Sequence, residues 1–142
     1  MLATVDAAGT PHASQAPFVF HQGAFHVLVS ALAIHSANLD DRSAVGVLVA
    51  ADEAQTPEAF ARVRAAFDCR CEPVACDSEE WTRICALFRE RFGGIVDTLL
   101  GLSDFRLVRL RPQGGTWVTG FGQAWHIETR DLEPPQTNRS AD

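Results

Sequence analysis

Val27–Leu39, VLVSALAIHSANL, reads as the end of an apolar strand running straight into a short helix. Apolar residues at Phe25, Val27 and Val29 alternate with His26 and Leu28, the period of a strand with two distinct faces. The helix is expected from Ser30 to Asp41. Its first turns collect two hydroxyls (Ser30, Ser36), an imidazole (His35) and an amide (Asn38). A strand passing into a helix start presents unpaired backbone N–H groups and the positive end of the helix dipole, a setting that suits phosphate or carboxylate. These four residues are therefore candidate ligand contacts. Most junctions of this kind hold nothing, so the local pattern does not decide the matter.

Working outward, the chain before this stretch forms an antiparallel meander. Leu2–Val5 and His12–Phe20 are β-like runs separated by a turn rich in Asp, Gly and Pro, and His21-Gln22-Gly23 turns the chain into Ala24–Ser30. Pro17 places a bend or an edge within the second run. After the helix come a buried-looking strand, Ala44–Ala50, and a long alternating strand over Ala59–Val74, whose start could instead open as a helical turn at Pro57–Phe60. Asp77–Phe92 is the main helix, with Asp77 and Glu80 as a capping-box-like start and Trp81, Ile84, Cys85, Phe88 and Phe92 as its apolar stripe. Phe105–Arg111 and Thr116–Ile127 are strands, with Pro112-Gln113-Gly114-Gly115 as a hairpin loop between them. The reading is a mainly β fold with helices, six or seven mostly antiparallel strands curled into a split β-barrel. It has one domain over residues 1–128 and a polar, flexible tail over 129–142.

Composition narrows the chemistry. The chain has 142 residues, a formal net charge of -6, and arginine as its only basic side chain apart from histidine. No basic excess suggests nucleic acid, and a lysine Schiff base or P-loop lysine is excluded. No apolar run is long enough to span a membrane and the start lacks a basic leader, so a cytoplasmic protein is expected. The four cysteines, Cys69, Cys71, Cys76 and Cys85, do not follow a zinc spacing and read as small reduced thiols. No metal site is expected, and no residue is assigned a catalytic role. Arg62 and Arg64 would share one strand face, where two guanidinium forks can grip a phosphate or a pair of carboxylates. The same spacing suits solvated arginines paired with Glu58 and Asp68. Asp104 is either a turn cap or a polar group at the site.

Six stretches in collinear order, LATVDAAGTPHASQAPFV, SALAIHSANL, FARVRAAFDCR, DSEEW, RFGGIVDTLLGLSDFRLVRL and GFGQAW, together resemble a known family. It is the HugZ/HutZ haem-utilisation branch of the pyridoxamine-5'-phosphate-oxidase-like superfamily. The resemblance runs from Leu2 to about Ile127. It implies an FMN-binding split barrel, a homodimer, and a small-molecule ligand at the subunit interface. Ser30, His35 and Asn38 match the S…H…NL pattern, which in relatives lies beside the FMN phosphate or in the haem pocket. Arg62 and Arg64 match the family's R-x-R strand near the ligand's anionic groups. Asp104 matches an aspartate that orients the axial histidine in haem-degrading members.

Two departures bear on the cofactor. Haem-degrading relatives ligate iron with a histidine in a C-terminal extension, whereas here no histidine follows His126. Flavin enzymes of the superfamily often use a lysine near the helix start, where this chain has His35. The missing tail histidine puts an FMN-binding oxidoreductase-type protein first. The alternatives are a haem-binding or haem-degrading protein of iron utilisation, and a flavin or haem storage dimer without turnover.

Overall fold

The structure is a computed structural model describing residues 1–132. Eight strands form one antiparallel sheet: β1 (Leu2–Val5), β2 (Pro11–Ser14), β3 (Phe18–His21), β4 (Ala24–Ser30), β5 (Ala44–Ala50), β6 (Arg64–Pro73), β7 (Phe105–Gly120) and β8 (Gln123–Glu128). Three helices accompany it: α1 (Ile34–Asp41), α2 (Glu79–Phe92) and α3 (Ile95–Leu100). The strand order is β2-β1-β5-β6-β7-β4-β3, with β8 paired to the far half of β7. This is the curled sheet of a split barrel.

Both faces of β4 are covered, which explains its mixed alternation. Phe25, Val27 and Val29 join Leu2, Leu39, Val45, Val47, Phe67, Val108 and Leu110 in the main core. The opposite face meets a second core, in which Ile84 and Phe88 of α2 and Val96 of α3 pack on Val19, Val74 and Leu107. The stripe read from sequence on the main helix is thus core: Trp81 and Phe92 pack against the same cluster.

Several expected boundaries move, each for a local reason. Pro17 splits the second expected strand into β2 and β3, one source of the larger strand count. Helix α1 starts at Ile34, not Ser30. Ser30 is the last residue of β4, and the intervening residues turn, with Ala33 N–H donating to Ser30 O at 3.0 Å. Ala59–Ala61 is a short 3₁₀ turn, so β6 begins only at Arg64. Asp77 takes a positive φ of 64° and cannot cap α2; Ser78 is the N-cap, its hydroxyl accepting from Trp81 N–H at 3.0 Å.

The expected hairpin at Pro112–Gly115 is absent. β7 runs through it unbroken for 16 residues. The irregularity appears instead as a register shift opposite Asp68 and Cys69 of β6. Gly115 serves close approach, since a Cβ there would collide with the Ala66 carbonyl oxygen. The hairpin lies further on, at Phe121-Gly122, where Gly122 has φ 70°. Thr129–Leu132 forms a 3₁₀ turn with Leu132 against the main core. The rest of the expected tail lies outside the described residues.

Candidate functional site

The end of β4 and the start of β7 lie side by side, Ser30 opposite Phe105. This register brings Asp104, 74 residues away in sequence, against Ser30, whose hydroxyl donates to Asp104 Oδ2 at 2.7 Å. Ala31 N–H donates to the Asp104 carbonyl at 2.8 Å, and Leu32 N–H to Ser30 Oγ at 3.2 Å. The Ser36 hydroxyl donates to Ser30 O. Arg106, which sequence reasoning missed, holds the helix from the neighbouring strand. Its Nη2 donates to Ser36 O at 3.2 Å and pairs with Asp40 at 2.6 Å.

Ser30, Ser36 and Asp104 therefore form one corner. Ser36 and Asn38 are buried there, and the Asn38 amide donates to Thr4 Oγ1 at 2.9 Å, tying α1 to β1. His35 is half-buried with Nδ1 3.1 Å from Ser14 Oγ. Burial lowers its pKa from the usual 6.5, which keeps the imidazole neutral at pH 7.

The two arginines stand elsewhere. Arg64 pairs with Val118 near the other end of β7. Arg62 lies outside β6, at the end of the 3₁₀ turn, so the two do not share a strand face as the spacing suggested. Arg62 Nε donates to Ala51 O at 2.6 Å, with Nη1 3.6 Å from Glu53, and Arg64 Nη1 donates to Arg62 O at 3.0 Å.

Arg62 lines a cleft of about 530 Å³, walled by Met1, the Gln15–Pro17 linker, Phe18 of β3, Leu48–Ala50 of β5, and Arg91 and Phe92 from the end of α2. Apolar walls with a few cationic groups suit a flat, amphiphilic anion. No histidine lines this cleft.

A second polar cluster sits between β4, β6, β7 and α2. Arg109 donates from Nη2 to Glu72 at 2.7 Å and from Nη1 to both Glu80 oxygens at 2.9 Å. His26, 2% exposed, places Nε2 3.1 Å from Glu80 Oε1. Desolvation lowers the His26 pKa from 6.5. Although desolvation would raise Glu80, His26 and Arg109 hold it below its usual range. The cysteines fit the thiol reading: all four are free, and burial pushes Cys69 up to about 12 and Cys71 to about 11.

This curled antiparallel sheet, crossed by a polar corner and an arginine-lined cleft, is that of a known family: residues 1–118 match the pyridoxamine 5'-phosphate oxidase family, and the chain belongs to it. Within that family it is similar to proteins of haem utilisation. It is 45% identical over 131 residues to the heme oxygenase HutZ of Vibrio cholerae, covering 92% of this chain and 74% of that protein. The crystal structure of HutZ, there described as a heme storage protein, superposes with a TM-score of 0.79 at 43% identity, covering 86% of this chain and 87% of that one. Campylobacter jejuni ChuZ superposes with a TM-score of 0.83 at 28% identity, over 93% of this chain and 55% of the ChuZ chain. Among the described residues no helix is long and apolar enough to cross a membrane.

Proposed function

We propose that this chain binds haem, as a homodimer, and serves haem utilisation. The likeness to HutZ over 92% of the chain carries this reading. It favours haem over the FMN that the sequence alone put first. The cleft fits the group in two respects. Pro17, Phe18, Leu48, Val49 and Phe92 offer an apolar wall for a flat macrocycle, and Arg62 faces the same space as a partner for carboxylates. An axial imidazole is not among the cleft residues and would come from beyond it.

Haem would supply an iron centre able to bind or activate oxygen. The chain's own residues bind and orient. Arg62 is anchored by its Nε bond to Ala51 O, with Glu53 3.6 Å from Nη1, and would turn its other N–H groups to an anion. Ser30 fixes Asp104 through Oδ2, so that this carboxylate is a preset hydrogen-bond acceptor. His35 stays neutral and its ring is steadied by Ser14. In one chain the Ser30–Asp104 corner and the Arg62–Arg64 turn flank opposite ends of β7. A two-fold dimer that sets the corner of one subunit beside the arginine turn of the other would join them in one site.

The test is side-by-side titration of the apo protein with ferric haem and with FMN, followed by absorbance. Sub-micromolar haem binding with a Soret band, and no comparable FMN binding, is expected. Tight FMN binding without haem binding would overturn this reading in favour of the flavin one.

A further inference from the structure

Arg91, in the wall of the cleft that Arg62 lines, is unusually well prepared to meet an anion. It lies in the last turn of α2, where a cation also meets the negative end of the helix dipole. Arg89, two residues earlier, is already committed to Asp97 at 2.7 Å. Arg91 has no carboxylate partner among the described residues. Its guanidinium carbon lies 5.0 Å from the Phe18 ring centroid and 5.2 Å from that of Phe92. Its Nη1 donates to the Phe18 carbonyl at 2.9 Å. The group is held by two ring faces and one backbone bond, which leaves four of its five N–H donors without a bond among the described residues. It lines the same cleft as Arg62.

From this we infer that Arg91 is a ligand-binding residue of the 530 Å³ cleft, and that with Arg62 it forms a pair of cationic contacts for a flat apolar ligand carrying two carboxylates. The inference rests on the haem reading and adds to it. A porphyrin with two propionates presents two anionic ends beside one apolar plane. The cleft presents two guanidinium groups, on separate elements, beside one apolar wall. A ligand with a single anionic group would leave one of the arginines idle. The preset geometry matters because a long arginine chain otherwise loses much rotamer freedom on binding, and Phe18 and Phe92 already restrict Arg91.

The competing role is structural, a staple between α2 and β3. The experiment separates the two by comparing ferric haem with haem dimethyl ester, which keeps the macrocycle but has no free carboxylates. Wild type, Arg91→Gln, Arg91→Lys and Arg62→Gln are titrated with both, with circular dichroism to confirm folding. Arg91→Gln is expected to weaken haem binding about tenfold while binding the ester as wild type does. Arg91→Lys should fall between, keeping the charge but not the fork. Equal haem affinity in wild type and Arg91→Gln, or ester affinity falling in step with haem affinity, would overturn the assignment. In that case continued haem binding by wild type would leave the haem reading standing. A wild-type protein that binds no haem would overturn both.

Discussion

His26 was legible as a strand residue on the face of β4 opposite the main core, but not as a buried one. Alternation tells which face a residue takes; it does not tell that α2 covers that face and delivers Glu80 and, from β7, Arg109 meets it. Its chemistry leads to a pH effect. His26 is harder to protonate in the fold than its usual pKa of 6.5, because burial disfavours the cation. The unfolded chain therefore binds a proton that the folded chain refuses. Stability is fully present above about pH 6.5 and declines as pH falls from there toward the lowered folded value. The depressed Glu80 adds a loss of the same sign at lower pH. Urea unfolding at pH 8, 6.5 and 5.5 should show falling midpoints, with a shallower fall in His26→Gln. A midpoint that rises on acidification would contradict the assignment. The same limit applied at the corner. Ser30 and Asp104 were both candidates from sequence, but their hydrogen bond depends on a β4–β7 register that no local pattern reveals. Ser36 and Asn38 looked equally available and proved to be buried supports of α1.

At the level of elements, local chemistry was trustworthy where neighbours agreed with it. The apolar stripe of α2, the turn at His21–Gly23 and the alternation in β4 all hold. Pro112-Gln113-Gly114-Gly115 shows the opposite. Its composition is that of a turn, but β6 pairs across it, and the glycine answers a demand for close backbone approach rather than for a reversal. Gly115→Ala should accordingly destabilise the protein by about 2 kcal/mol or more, since a Cβ would press on the Ala66 carbonyl and force β6 and β7 apart. Gly94→Ala is the control. Gly94 has a helical backbone and open space around a Cβ, so the change should be neutral or stabilising by about 0.5 kcal/mol. Thermal unfolding of both variants measures the contrast, and equal losses would remove the close-approach argument. The offset of the α2 cap from Asp77 to Ser78 is a smaller lesson of the same kind, a one-residue shift imposed by a left-handed turn.

The whole molecule exposes more aromatic surface than a lone domain needs. Trp117 and Trp125 are cross-strand partners on β7 and β8, 47% and 60% exposed, and Phe121 at the hairpin tip is 82% exposed. On Trp117's other side, Ala65 of β6 is its paired neighbour. We expect this face to be covered in the proposed homodimer, with well over about 1,000 Å² buried in total. Analytical ultracentrifugation at micromolar concentration should report a dimer, and Trp125→Glu should shift it to monomer with the fold intact. A wild-type monomer under those conditions, with ligand present, would remove both the interface and the shared site. This face was half legible: Thr116–Ile127 reads as a strand from sequence, but that both of its tryptophans stand exposed is seen only in the structure.

The pairing of β4 with β7 has a consequence for synthesis on the ribosome. β1 pairs first with β2 and waits for β5 before it gains a second neighbour, since Leu2 pairs with Val47. β4 waits longer still, until Phe105–Leu110 has emerged. Until then the nascent β3–β4 hairpin carries Phe25, Val27 and Val29 with the core still lacking Val108 and Leu110 and with an open edge beside them. Contacts this distant in sequence close late and slowly, and the unpaired edge is exposed to other chains in the meantime. Folding of this sheet therefore waits until β7 has been made, and until then β4 keeps an edge open to other chains, which a helical segment with local contacts would not do.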